Sequence, residues 1–171
     1  MQKSDLSPTE YQEFYATYLN AISDVDLIGE LQSGKNWMVK YLKNLEDSKL
    51  SYSYGKGKWT IAEVIMHIID TERVFQYRAF RFSKNDKSAL PGFDQDEYIL
   101  HTDVTSRSKE SILQEYLSVR EASITLYQNL KNKQLQYTGI ASSINWSVAG
   151  IGFVISGHQK HHCSILEERY F

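Results

Sequence analysis

The chain has 171 residues, of which 42% are hydrophobic and 23% are charged. This length and composition fit a single domain over residues 1–171 with a buried core, and they argue against a disordered chain. The formal net charge of −2 offers no attraction for nucleic acid or an anionic membrane surface, so we expect binding to neither. The single cysteine excludes an internal disulfide framework and any metal site built from several thiolates.

Neither the start of the chain nor its most apolar run has the features of a membrane-directed segment. Residues 1–9 are polar and lack the apolar stretch of a signal peptide. The longest near-apolar run, 148–155, is far shorter than the roughly 18 residues that span a bilayer. We therefore expect a cytoplasmic protein, and a reducing compartment also suits the single cysteine.

Two helices are predicted in the first quarter of the chain. The run Ser7-Pro8-Thr9-Glu10 combines a capping box with proline at the first helical position, and it predicts a helix that continues to about Ile22. A second helix is predicted over 26–45, although Gly29 and Gly34 weaken it.

The longest predicted helix follows a glycine-punctuated loop at 46–59. Thr60-Ile61-Ala62-Glu63 is a second capping box, and apolar residues then keep a 3.6-residue period to about Ser83. The next 84–107 stretch has no such period. A connection of this length inside a compact domain is typical of a functional loop or a crossover.

Two further helices complete the pattern. One is predicted from the cap at Ser108 to about Leu130, and the last runs from the cap at Ser147 nearly to Phe171. The 131–146 segment between them is predicted as a loop. Because no segment keeps the alternation of a strand, we expect an all-α bundle with one long crossover connection.

The last predicted helix carries the pattern that points to chemistry. His158 and His162 lie four residues apart, about 40° from each other around the axis, in the middle of an apolar arc. Both imidazoles should therefore face the bundle interior, whereas His161 falls at the edge of the arc and should face solvent. Two histidines on one helix are only half of a metal site, so spacing alone leaves metal ligands and hydrogen-bonded core histidines as equal alternatives.

A third histidine, His67, lies on the predicted 60–83 helix within a polar stripe at the margin of an apolar face. Burying unpaired polar groups costs roughly 1–3 kcal/mol each, so this stripe needs partners. A metal ion would satisfy the imidazole, and nearby carboxylates could orient it. The angular neighbours of His67 are Thr60, Glu63, Asp70, Thr71, Val74 and Arg78.

Other polar residues leave alternatives open. The planar guanidinium of Arg78 could clamp a substrate carboxylate, or it could form a structural ion pair with Asp70 or Glu63. Cys163 lies about 100° around the helix from His162, so it should be packed rather than bound to a metal. Trp59 and Trp146 are expected to anchor packing. The sequence has no phosphate-binding glycine loop and no motif for a serine or cysteine nucleophile.

Four segments together resemble the motifs of the DinB/YfiT-like superfamily, a metalloprotein fold. They are the 57–75 run, the segments at 77–82 and 90–96, and Gly157-His158 followed by His162 and the 165–170 run. The resemblance covers almost the whole chain. It implies a four-helix bundle in which His67, His158 and His162 bind a divalent metal, Zn²⁺ or Ni²⁺, and His161 has no ligand role. It also implies a homodimer.

Three neutral imidazoles would leave the ion its full charge and at least one open position. Such a site can ionise bound water for hydrolysis or hold a small thiol as thiolate. Because several relatives transfer low-molecular-weight thiols, the resemblance implies metal-dependent transfer of a thiol cosubstrate to an electrophilic small molecule. Glu63 or Asp70 would accept the released proton, and Thr71 and Arg78 would contact the substrate.

Two alternatives to thiol transfer remain open: a metal-dependent hydrolase and a non-catalytic, stress-related metal-binding protein. A roomy cleft beside His67, lined by Glu63, Thr71 and Arg78, would favour an enzyme. A narrow site without an adjoining pocket would favour the non-catalytic protein.

Overall fold

Four long helices make up most of the structure, a computed structural model that describes residues 1–170. They are α2 (Leu27–Asn44), α3 (Ile61–Ser83), α5 (Lys109–Gln128) and α7 (Val148–Arg169). Helix α3 makes its most extensive contacts with α7 and also packs on α5, while α2 packs on α5 and α7. This arrangement confirms the predicted helical bundle. Within residues 1–170, no helix is both long enough and apolar enough to cross a bilayer.

Side-chain caps determine where the long helices begin. At the start of α3, the Thr60 hydroxyl accepts a hydrogen bond from the Glu63 N–H at 3.2 Å, and the Glu63 carboxylate accepts one from the Thr60 N–H at 2.7 Å. At α5 and α7 the cap is the serine hydroxyl alone: Ser108 and Ser147 each accept a hydrogen bond from the N–H three residues later. The predicted boundaries of α2, α3 and α5 therefore agree with the structure to within two residues. Helix α7 ends at Arg169, and Phe171 lies outside the described residues.

The N-terminal segment differs from the prediction of one continuous helix to Ile22. The capping box at Ser7 is present, but the helix that it starts ends after a single turn because Tyr11 is extended. Tertiary packing decides this outcome, since the segment lies across α7: a Cβ atom on Gly157 would lie only 2.1 Å from the Tyr18 carbonyl oxygen. The segment contains three 3₁₀ turns and one short helix: Lys3–Asp5, Pro8–Glu10, Glu13–Tyr15 and α1 (Ala16–Asn20).

A β-hairpin overturns the prediction that the chain has no strands. Strands β1 (Thr138–Ala141) and β2 (Ile144–Ser147) pair antiparallel within the predicted 131–146 loop, which also contains α6 (Asn132–Leu135). Ser142 and Ser143 turn the chain with positive φ angles of 53° and 63°. Each strand has only four residues, which is too short for alternation to be recognised in a sequence.

The 84–107 crossover is fastened to this hairpin and contains one short helix, α4 (Gln95–Leu100). The Leu90 N–H donates to the Ile140 carbonyl at 2.9 Å, and the Ser142 N–H donates to the Leu90 carbonyl at 3.1 Å. The crossover therefore returns to the bundle beside β1.

Two apolar clusters form the core, with buried polar residues between them. The first cluster contains the C-terminal half of α3, the start of α7 and Trp146. Trp146 is fully buried, so it packs as predicted. The second contains the start of α3 and the end of α7. Between the two clusters, α3 carries buried polar residues at 71–72 and α7 carries them at 158–159. The candidate site lies at this height in the bundle.

Candidate metal centre

Three imidazoles meet where α3 packs against α7. His67 comes from α3, and His158 and His162 come from successive turns of α7. One candidate ligand atom from each lies within 4.8 Å of the other two. The His67 and His158 Nε2 atoms are 2.9 Å apart, and His162 lies 4.8 Å from His67 and 4.6 Å from His158 between ring centroids. The structure thus brings together the three residues that the sequence proposed as ligands.

His161 lies outside this cluster, as its helical angle suggested. It is half-buried rather than fully in solvent, because the Tyr18 ring packs against it at 5.5 Å between centroids. Tyr18 also packs edge-on against His158 at 5.2 Å. The N-terminal segment therefore covers one side of the cluster.

Burial keeps the three imidazoles neutral. It lowers the pKa of His67 to about 4 and, with repulsion from His67 and His161, lowers the pKa of His162 to about 3. The pKa of His158 falls well below its ordinary value, again mainly through burial. A neutral imidazole has a free lone pair, which is the form that binds metal ions.

The donor set fits a divalent metal ion of the zinc or nickel type. Imidazole nitrogen suits Zn²⁺, Ni²⁺ and neighbouring transition metals. Around a tetrahedral zinc ion, ligand nitrogens lie about 3.3 Å apart, which is close to the 2.9 Å between His67 and His158. Thr71 Oγ1 lies 3.4 Å from His67 Nδ1, where its hydroxyl can hold that ring in place. The three histidines could therefore hold one ion.

The two carboxylates proposed as proton acceptors have other partners. The Glu63 carboxylate accepts hydrogen bonds from the Thr60 N–H and hydroxyl, so it belongs to the cap of α3. Asp70 forms an ion pair with Arg73 at 3.2 Å. Burial raises the pKa of Asp70, and Arg73 opposes that rise in part.

Arg78 forms neither of the two ion pairs considered from the sequence. Its side chain is only 2% exposed, and its Nη2 donates to the Pro91 carbonyl at 3.0 Å and to Ser142 Oγ at 2.8 Å. It therefore lies beneath the crossover and the hairpin turn.

A pocket of about 250 Å³ opens beside His162. Its walls differ from those expected, since Glu63, Thr71 and Arg78 do not line it. The residues that do are Tyr54, Gly57, Lys58, Trp59, Val64, Ile165 and Tyr170. The Trp59 ring lies 5.0 Å from the His67 ring, and the Tyr170 hydroxyl donates to the Trp59 carbonyl at 2.7 Å.

Sequence reasoning missed most of this pocket because its residues come from a loop and from the end of α7. One signal was available for Tyr170, which follows His162 by about two helical turns and comes directly after the last residue of α7. Trp59 was expected only to anchor packing, yet it also lines the pocket.

A buried ion pair was also missed. Arg120 on α5 donates from Nε and Nη2 to the Glu72 carboxylate at 2.8 and 2.7 Å, and from Nη1 to the Leu31 carbonyl at 3.0 Å. Arg120 Nη2 and the Tyr116 hydroxyl both donate to the Gln159 side-chain oxygen. We call Glu72, Arg120 and Gln159 the buried network.

Cys163 lies beside this network and away from the imidazoles. Its side chain is 2% exposed, and burial raises the pKa of its thiol to about 12. Cys163 lines a separate groove of about 490 Å³, which lies between α2, α7 and the residues 21–23 that follow α1. This placement agrees with the expectation that Cys163 is packed.

Comparison with known proteins agrees with the geometry of the bundle and its histidines. A family model described as the DinB superfamily matches residues 31–166, which is most of the chain. The chain belongs to the DinB superfamily. This membership confirms the resemblance found in the sequence.

Two known proteins are similar to this DinB protein, one in sequence and one in fold. It is 26% identical over 145 residues, 82% of each chain, to an Oceanobacillus iheyensis protein provisionally named a metal-dependent hydrolase. Its fold matches that of YfiT from Bacillus subtilis, described as a probable metal-dependent hydrolase with an unusual four-helix bundle topology. That match has a TM-score of 0.74 and 17% identity, and it covers 83% of this chain and 82% of YfiT, so it establishes the shared four-helix bundle.

Proposed function

We propose that this DinB protein is a metal-dependent enzyme that transfers a low-molecular-weight thiol to an electrophilic small molecule. The observation that carries the proposal is the cluster of three neutral imidazoles beside an open pocket. His67, His158 and His162 would hold one Zn²⁺ or Ni²⁺ ion. When bound, the ion would act as a Lewis acid that lowers the pKa of a thiol.

The pocket supplies the walls of the reaction site. Tyr54, Trp59 and Tyr170 present aromatic surface that can pack against the apolar part of an electrophile and exclude water from it. Lys58 at the exposed rim favours a substrate with a negative group. In the overall reaction, an S–C bond forms, the leaving group departs with its electron pair, and the thiol loses its proton.

The residues of this chain favour an external thiol as the nucleophile. Cys163 cannot supply one, since it is buried, its thiol pKa is about 12, and it lies away from the imidazoles. Along α3, Glu63 lies one turn before His67 and Asp70 lies one turn after it. Either carboxylate could accept the thiol proton after giving up its present hydrogen bond. The open pocket also gives the proton a path to solvent.

Hydrolysis by the same site is the second candidate. The names of the Oceanobacillus iheyensis relative and of YfiT favour it. Water would then replace the thiol, and an ester or amide would be consumed without any thiol. The pocket beside His162 favours either enzyme over a non-catalytic metal-binding protein.

Metal titration of purified single variants tests the ligand assignment. Replacing His67, His158 or His162 by Ala should abolish stoichiometric binding of Zn²⁺ or Ni²⁺ measured by calorimetry. The matched control, His161→Ala, should bind normally. Loss of the metal from His161→Ala with retention in His158→Ala would contradict the assignment.

Activity measurements then separate the two reactions. The metal-loaded protein is incubated with a thiol-reactive electrophile, with and without bacillithiol, mycothiol, glutathione or coenzyme A. Thiol-dependent acceleration that disappears in His67→Ala supports transfer. Metal-dependent cleavage of an ester or amide with no thiol present would replace transfer by hydrolysis.

A further inference from the structure

Arg78 is a buried cation whose partners are all uncharged. Its Nη2 bonds only to the Pro91 carbonyl and the Ser142 hydroxyl. Its Nη1 is buried without a hydrogen-bond partner among residues 1–170. The Phe75 and Phe93 rings lie 5.2 and 5.8 Å from the guanidinium carbon. Nη1 is therefore free to donate.

No carboxylate within residues 1–170 forms an ion pair with Arg78. Its neighbours on α3, Arg73 and Arg81, pair instead with Asp70 and Asp86. Burial lowers the pKa of Arg78, but arginine remains protonated at any pH that a folded protein tolerates. A buried charge of this kind is poorly compensated by neutral oxygens and ring faces.

The segments that cover Arg78 are connections rather than bundle helices. Pro91 and Phe93 belong to the 84–107 crossover, and Ser142 belongs to the hairpin turn. The crossover contacts the turn closely, since a Cβ atom on Gly92 would lie 3.3 Å from Ser142 Oγ. Connections of this kind open at lower free energy than packed helices do, so a small solute can reach Arg78 while the bundle stays folded.

We propose that the guanidinium of Arg78, together with the hydroxyl of Ser142, binds the carboxylate of a small organic acid. Both N–H groups of Nη2 are taken by Pro91 and Ser142, whereas Nη1 has no partner to give up, so Nη1 donates to one carboxylate oxygen. Ser142 Oγ lies 2.8 Å from Nη2 and has its own proton to donate to the second oxygen.

This site is separate from the proposed metal centre. Arg78 follows His67 by eleven residues on α3, which is about three turns and about 16 Å along the helix axis. Arg78 is also absent from the lining of the pocket beside His162. The proposal therefore stands or fails independently of thiol transfer and of metal binding.

Thermal unfolding of the metal-free protein tests the site with acetate and succinate as probes, against sodium chloride at equal ionic strength. At a concentration 100 times Kd, a bound carboxylate should raise the Tm by about 5–10 °C. The rise should disappear in Arg78→Met and shrink in Ser142→Ala. Arg81→Met, one turn further along the same helix, is the control and should respond like the wild type.

Titration of the wild-type arginine Nε–H resonances by NMR keeps the test valid if Arg78→Met does not fold. The resonance that is absent from Arg78→Lys should shift with carboxylate and saturate. Equal stabilisation of wild type by carboxylate and chloride, with no shift of that resonance, would overturn the proposal. A response to phosphate with acetate and succinate inert would overturn its carboxylate assignment.

Discussion

Among residues 1–170, Arg78 and Arg120 are the buried arginines, and of these two Arg120 alone is paired with a carboxylate. Arg120 is fully buried and meets Glu72 through three hydrogen bonds, whereas Arg78 is 2% exposed and meets neutral groups alone. The surroundings explain the difference. Arg120 is enclosed by helices on every side, so its counter-ion has to be part of the fold. Arg78 lies under connecting segments, where an anion from solution can act as its partner.

The buried network is satisfied at nearly every polar atom. Gln159 receives hydrogen bonds at its oxygen and donates from Nε2 to the Gly34 carbonyl at 2.8 Å. Arg120 thereby links α5 to α2, α3 and α7 in one layer. A fully bonded layer of this kind fixes how the helices align, whereas the incomplete set of partners around Arg78 suits binding.

The largest effect is expected when the buried pair is broken. Glu72→Gln leaves the Arg120 charge buried without an anion, so it should lower the free energy of unfolding by about 3–5 kcal/mol in urea titration. The matched control is Glu121→Gln on α5, which removes the exposed Lys35–Glu121 pair and should cost less than about 1 kcal/mol. If the two variants lost equal stability, the network would not be what aligns the helices.

A much smaller effect is expected at the other arginine. Arg78→Met removes two hydrogen bonds to neutral oxygens but also removes a poorly compensated buried charge, so the two changes should nearly cancel. We expect a change in unfolding free energy within about 1 kcal/mol by urea titration. Arg120→Met, measured alongside, should lose several times as much. A loss in Arg78→Met that matched the loss in Arg120→Met would assign Arg78 a structural role and remove the contrast between them.

The sequence predicted the long helices well because local chemistry determines where they begin. The Thr60–Glu63 capping box and the serine at 147 are visible without any tertiary information. The same cap at Ser7 failed to predict the length of its helix, since contact with α7 decides where that segment turns. Local signals therefore predict where a helix starts better than they predict where a segment held by tertiary contacts turns.

The candidate site was predictable only in part. The spacing of His158 and His162 placed both on one apolar arc, but their meeting with His67 followed from the family resemblance. The Glu72–Arg120 pair spans 48 positions and depends on how α3 and α5 are aligned, which a single sequence does not reveal. The pocket walls at Tyr54 and Lys58 depend on the path of a loop, so periodicity could not find them.

The smallest expected effect concerns Cys163. The reactivity of its thiol measures how accessible the buried network is to reagents from solution. Burial raises the pKa of its thiol to about 12, although a hydrogen bond with Gln159 and the charge of Lys160 oppose the rise. At pH 8 only about one molecule in 10⁴ would then carry a thiolate, which is the form that reacts with disulfide reagents. Native protein should show almost no reaction with an aromatic disulfide reagent at pH 8, and protein in urea should release one equivalent.

Two outcomes of the Cys163 measurement bear on the comparison of the two arginines. Cys163→Ser should bind metal like the wild type, since the thiol lies away from the three imidazoles. Rapid labelling of the native thiol would mean that the groove beside Gln159 opens readily. In that case the region around Arg120 would be as accessible as the region around Arg78, and burial by helices would no longer explain why only Arg120 has an internal carboxylate partner.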